Sequence, residues 1–219
     1  MVAKIGNKAP NLKVSKWVQG LPTNIDKEKE NVVLIEVFQV NCPGCFLYGI
    51  PESIEIYNKY RKDGVIVLGL ATAFEDYDKN TLENLELLLT TDQVIGETYN
   101  ALSQYGILQD NKLQYKIPFP VAMDSLKRED GTWTDDRVMD FMEVNIPEFR
   151  TYIESRITET IERVKAYLKT KQFSAETFEE YALRGTPSSI LIDKKGVLRQ
   201  VSFGQNAYLD TMIKELLEE

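Results

Sequence analysis

The sequence predicts an α/β fold: a central mixed sheet flanked by helices, with a helical insertion. Three observations predict it. Residues 32–40 and 65–70 are short apolar runs rich in β-branched side chains, the composition of strands buried on both faces, as in a parallel sheet. The first run is followed by Phe46, Leu47, Ile50, Ile54 and Tyr57, which recur at helical spacing. Far along the chain, two more apolar runs flank Asp193-Lys194-Lys195-Gly196, which reads as an antiparallel hairpin with its glycine in the left-handed position.

The remaining elements follow in order. Residues 91–105 are expected to be helical, with Val94, Ile95, Leu102 and Tyr105 on one face and Gly106 as the stop. Residues 117–124 suit an edge strand, because Pro118 and Pro120 cannot donate to a central ladder. Residues 125–136, polar and containing Gly131 and Trp133, are expected to be a surface loop. Asn145 and Glu148 then offer an N-cap and a capping-box acid. Ile146, Phe149, Ile153, Ile157, Ile161, Val164 and Leu168 repeat at steps of three and four. That pattern predicts one amphipathic helix over 146–169, about 36 Å long at roughly 1.5 Å per residue and longer than the sheet beneath it. Its apolar stripe must be covered by residues 125–144, by a second copy in a homodimer through the 146–169 helix, or by a client. A terminal helix begins near Asn206, with Glu215, Glu218 and Glu219 on a solvated face.

Composition narrows the chemistry. With 219 residues, 43% hydrophobic and 27% charged, the chain can build a conventional core, read as one domain over 1–219 with the insertion at 125–173. It contains no histidine, which excludes Ser-His-Asp and Cys-His catalysis and histidine metal sites. Asp and Glu outnumber Lys and Arg by 34 to 26, a net charge of −8 that would repel a phosphate backbone, so no nucleic-acid partner is expected. No run approaches the roughly 20 apolar residues of a membrane span, and residues 1–10 lack a secretory apolar stretch. The expectation is a cytoplasmic chain.

Two cysteines remain, Cys42 and Cys45. A structural staple across so short a loop would remove little unfolded-chain entropy. A zinc site would need carboxylates or a second copy to complete its ligands. A redox pair suits the location best, since the cysteines fall where a strand turns into a helix. The free N–H groups and positive dipole end there lower a thiol pKa. Pro43 fits the first turn, where its missing N–H costs no helical bond. Cys42 is expected to be the exposed attacking sulfur, and Cys45, one turn further in, the buried resolving one. Glu36 lies inside the apolar strand; it is either a buried acid with a raised pKa or a solvated residue at the sheet edge.

Residues 32–45, ending in Cys42-Pro43-Gly44-Cys45, together with Arg184-Gly185-Thr186-Pro187 ahead of the hairpin, resemble the thioredoxin superfamily over about residues 1–124 and 174–219. Gly6-Asn7-Lys8-Ala9-Pro10, Leu12, Gly20-Leu21-Pro22 and residues 65–74 resemble its TlpA-like and redoxin (AhpC/TSA-like) branches. The resemblance implies a thioredoxin-like fold and a thiol-disulfide oxidoreductase that acts on protein disulfides with a redox partner protein, using no organic cofactor and no metal. It implies catalytic roles for Cys42, Cys45 and Glu36, the last standing where thioredoxins carry a buried proton-passing Asp. It also implies substrate contacts at Thr186, Pro187, Pro43 and Gly44, with the proline cis and facing the cysteines. The peroxiredoxin Thr/Ser and Pro positions are held here by Gln39 and Ile35, which ranks a thiol peroxidase below disulfide exchange. Asn41 stands where a Trp is usual, and Pro51 follows Cys42 by nine residues where the families have eight. The competing function is a thioredoxin-like binding module with idle cysteines.

Overall fold

Seven consecutive apolar or enclosed positions leave Val32–Phe38 no face to give to water. In the computed structural model, which describes residues 2–219, all seven are buried at the centre of a sheet. Along the chain, β1 (Val14–Gln19), β2 (Val32–Phe38), α1 (Ile50–Tyr60) and β3 (Val65–Ala71) come first. Helices α2 (Leu82–Thr91) and α3 (Gly96–Gln104) and a small hairpin of β4 (Leu108–Gln109) and β5 (Lys112–Leu113) lead to β6 (Val121–Asp124). The insertion contains β7 (Leu126–Arg128), α4 (Asp135–Asn145), α5 (Glu154–Thr170) and β8 (Phe173–Ala175). Then follow α6 (Glu176–Glu180), β9 (Ser188–Ile192), β10 (Leu198–Phe203) and α7 (Leu209–Glu218).

Six strands form one sheet in the order β1-β6-β3-β2-β9-β10. β3 runs parallel to β2 and β6, whereas β9 is antiparallel to β2 and β10, so the sheet is mixed as expected. Alternation along β2 divides the core. Val32, Leu34 and Phe38 join the cluster with Ile50, Ile56 and Ile213, while Val33, Ile35 and Val37 join Phe178, Tyr181 and Leu183 on the opposite face. Parity therefore sends Glu36 to the α1 face.

Four expectations need correction. The helix expected over 91–105 is α3 alone: α2 ends at Asp92, whose left-handed backbone (φ 61°) turns the chain, and α3 starts only at Gly96. The strand within 117–124 is not at the edge, because β1 pairs beyond it. The prolines are tolerated since pairing starts at Val121, and the Pro120 carbonyl accepts from the Gly69 N–H at 2.8 Å. The 125–136 loop contains β7, which pairs with β8, and ends at Thr134, whose hydroxyl caps α4.

The long helix over 146–169 is broken. Asn145 closes α4, Ile146 leaves helical geometry (φ −138°), a tight turn follows at Pro147–Thr151, and α5 begins at Glu154. With 17 residues, α5 is about 26 Å long. Its stripe is covered inside the chain: Val164 and Leu168 are buried with Val138, Met142 and Phe149, and Trp133, Ile157 and Ile161 pack around them. Ile153 lies outside that seam, 73% exposed.

Two buried or charged anchors complete the frame. The Asp124 carboxylate accepts from the Thr72 hydroxyl (2.9 Å) and from the amides of Thr177 (3.0 Å) and Phe178 (3.2 Å), which fastens the chain's return from the insertion to the sheet. Glu219 is held by the Arg199 guanidinium at 2.6 and 2.8 Å, so the acidic end is not wholly a solvated face. Among the described residues, no helix is long and apolar enough to cross a membrane.

Candidate active site at Cys42 and Cys45

The chain leaves β2 at Phe38 and turns into a helix at Pro43, which places Cys42 at the helix start. Cys42 and Cys45 are joined by a disulfide. Cys42 is half-buried and Cys45 fully buried. The Cys45 N–H donates to the Cys42 sulfur at 3.2 Å, a free amide of the first turn aimed at the more accessible sulfur.

The helix then makes one wide turn at Cys45–Gly49, in which the Ile50 N–H reaches back five residues to the Cys45 carbonyl. A wide turn holds one residue more than an α-turn. This accommodates the extra residue between Cys42 and Pro51. In that register Pro51 would be the donor to the Phe46 carbonyl but has no N–H, and the Tyr115 hydroxyl donates to Phe46 instead, at 2.8 Å.

Thr186–Pro187 is a cis peptide, and it stands against the cysteines. The Cys42 sulfur lies 3.6 Å from the Thr186 carbonyl oxygen. A Cβ at Gly44 would touch the Pro187 ring at 3.6 Å. Thus Cys42, Pro43, Gly44, Thr186 and Pro187 form one continuous surface, with Cys45 beneath it.

Glu36 lies below that surface, buried rather than at a sheet edge. One carboxyl oxygen accepts from the Ser53 hydroxyl at 3.2 Å, and the other, Oε1, is buried with no hydrogen-bond partner among the described residues. Cys45, Gly49 and Ser53 occupy successive turns, and Oε1 lies where a side chain on Gly49 would begin, 2.2 Å from its would-be Cβ. Burial pushes the Glu36 pKa well above the ordinary carboxylate value; the Ser53 hydroxyl pulls it down and Glu52 pushes it up further.

Residues that sequence reasoning missed surround this site. Asn41, noted only as a departure from Trp, is a hub. Its side chain donates to Asp76 (2.7 Å) and accepts from the Glu97 N–H (2.7 Å), while its own N–H donates to Asn80 (2.9 Å). Gly96 leaves room for it, with φ +55° and a would-be Cβ 2.2 Å from Asn41 Oδ1. The Thr98 hydroxyl donates to the Val40 carbonyl (2.8 Å), closing the loop ahead of Cys42. Gln39 accepts from the Phe74 N–H at 3.1 Å, and Ile35 packs in the core on the opposite face.

No protein-family model matches the sequence, and no curated protein matches it. Solved structures do. The chain is similar to a thioredoxin-like superfamily protein over 98% of both chains, with a TM-score of 0.59 and 26% identity. It is similar to a thiol-disulfide isomerase from Corynebacterium glutamicum over 96% of this chain and 97% of that one, with a TM-score of 0.58 and 28% identity. A thioredoxin-like protein solved in its oxidised form matches over 97% and 95%, at a TM-score of 0.53 and 14% identity, and supports the fold alone. The fold is thioredoxin-like, and its combination with a Cys-x-x-Cys pair supports a redox function.

Proposed function

We propose that this chain, thioredoxin-like in fold, is a thiol-disulfide oxidoreductase that exchanges the Cys42–Cys45 dithiol and disulfide with protein substrates. The observation that carries the proposal is the asymmetry of the pair: the accessible Cys42 sulfur receives the Cys45 amide and faces the Thr186 carbonyl, while Cys45 is enclosed. An amide and a helix start favour the thiolate over the thiol, so on reduction Cys42 is the sulfur that ionises.

The Cys42 thiolate attacks one sulfur of a substrate disulfide. A new S–S bond joins Cys42 to the substrate, and the second substrate sulfur leaves as a thiolate that takes a proton from solvent. Thr186, with Pro187, Pro43 and Gly44 around it, offers a backbone carbonyl beside the reacting sulfur to an extended substrate segment. Cys45 loses its proton to a Glu36 carboxylate and attacks Cys42, which forms the Cys42–Cys45 disulfide and releases the first substrate sulfur. The substrate gains two electrons and the pair loses two. A dithiol redox partner restores the reduced pair by the same steps in reverse, in which a protonated Glu36 returns the proton to the departing Cys45. A buried carboxyl with a raised pKa can hold and release that proton near neutral pH.

The test is turnover of a disulfide protein such as insulin with a small dithiol as reductant. The expected result is catalysis by the parent and its loss in Cys42→Ser. A parent that turns over no disulfide, large or small, would leave the binding module with idle cysteines as the better reading.

A further inference from the structure

Between the insertion and the sheet lies a groove of about 580 Å³, within the size range of ligand-binding clefts. On the sheet side it is lined by Phe74 and Phe178, stacked with centroids 4.6 Å apart. On the insertion side it is lined by Phe141 and Tyr167, 5.9 Å apart, with Val144 beside them. Val144 and Tyr167 are 40% and 45% exposed, apolar surface that the insertion's own core does not use. Clustered apolar surface in a concave site marks a place for a partner's apolar group.

The groove is continuous with the site already described. Arg184, which lines it, stands two residues before Thr186, whose carbonyl faces the Cys42 sulfur. Phe74 is tied through its amide to Gln39, three residues before Cys42. A chain laid alongside residues 186 to 184 advances roughly 3.3 Å per residue, so it enters the groove within about two residues of its reacting cysteine. The rim is acidic. Glu75 and Asp140 are exposed there, and Lys171 is taken up by Glu179 (2.8 Å) and Glu129 (3.7 Å).

We propose that this groove receives the segment flanking the reactive cysteine of an unfolded polypeptide, and selects a large apolar side chain next to a lysine or arginine. This rests on the disulfide-exchange reading. An unfolded segment is the occupant because the groove needs an extended backbone that presents an aromatic or aliphatic side chain, which folded proteins keep buried. The carboxylates of Glu75 and Asp140 meet the basic residue.

The test compares three disulfides on the full chain: bis(2-hydroxyethyl) disulfide, a peptide whose cysteine is flanked only by Gly and Ser, and the same peptide with Phe-Lys three residues from the cysteine. The expected result is a kcat/KM about 10-fold higher for the Phe-Lys peptide than for the Gly-Ser peptide. In Tyr167→Ala/Val144→Ser that ratio should fall to about one, and in Asp140→Lys a Phe-Glu peptide should overtake the Phe-Lys one. Binding of a Phe-Lys peptide carrying Ser in place of its Cys, read by fluorescence polarisation, tests the groove without chemistry and should weaken in the same variants. Equal kcat/KM for both peptides in the parent, or a preference that survives the substitutions, overturns the proposal. A chain that reduces none of the three disulfides overturns the exchange reading as well, and this one with it.

Discussion

Replacing Gly49 by alanine should destabilise the protein and slow exchange, although the same change in an ordinary helix stabilises. Gly49 has helical geometry (φ −62°, ψ −53°), so alanine meets no backbone strain, and helix propensity alone favours it by about 1 kcal/mol. The cost lies in the space the new methyl would take. It would stand 2.2 Å from Glu36 Oε1 and 2.6 Å from Pro187 Cβ. The Glu36 carboxyl is enclosed and held by Ser53, and the proline ring has no alternative rotamer to retreat into. Overpacking of this kind costs about 1–3 kcal/mol, and with two unyielding neighbours the upper part of that range applies. Setting the propensity gain against it leaves a net loss of about 1–2 kcal/mol, which in a chain of this size is a fall of about 2–8 °C in Tm. Thermal melts with a parallel exchange assay check both effects. Glu36→Ala in the Gly49→Ala background should recover part of the loss, since one of the two contacts is removed. A Gly49→Ala protein with an equal or higher Tm and an undiminished exchange rate would refute the account of how Glu36, Pro187 and α1 fit together.

Three further outcomes are expected. Glu36 titrates at a raised pKa in the folded chain, so its contribution to stability is present below the unfolded value near 4.5 and is lost as pH rises through the folded pKa. Relative to Glu36→Gln, the parent should therefore weaken between about pH 5 and pH 8 in urea melts, and a gap that does not vary with pH would mean that no buried proton is held there. Asp124→Ala strands the buried Thr177 and Phe178 amides and should cost about 2–4 kcal/mol by denaturant midpoint; a change under about 0.5 kcal/mol would show that the anchor is dispensable. Ile153→Asp should be nearly neutral, within about 0.5 kcal/mol, while Ile157→Asp, inside the insertion's seam, should cost about 1–3 kcal/mol at unchanged mass by light scattering. A parent of twice the chain mass that Ile153→Asp halves would move that seam to an interface between copies.

How far the sequence could be read depended on whether a residue's reason for being there was local. The strand at 32–38 was legible because all its neighbours are apolar, and the hairpin because Asp193 accepts from the amides of Lys195 and Val197 (both 2.9 Å) within its own turn. The position of Glu36 was legible as a choice between two states, and burial decided between them. The break at Ile146 was not legible from periodicity, since a single apolar stripe continues across both segments; Pro147, which disfavours helical geometry in the residue before it, was the available signal. Helix α2 also had a signal, Leu82, Leu85, Leu88 and Leu89 behind the capping hydroxyl of Thr81. The hub at Asn41 had none. Its partners Asp76, Asn80 and Glu97 come from separate loops and helix starts, and no spacing rule relates them.

The central claim is that Cys42 attacks and Cys45 resolves. Incubating Cys45→Ser and Cys42→Ser separately with a disulfide-bonded peptide, and following the intact masses with time, tests it most directly. The account predicts a mixed disulfide that accumulates and persists on Cys42 in Cys45→Ser, and a Cys42→Ser chain that stays unmodified. An adduct that forms on Cys45 at an equal or greater rate, or no adduct on either, would contradict it.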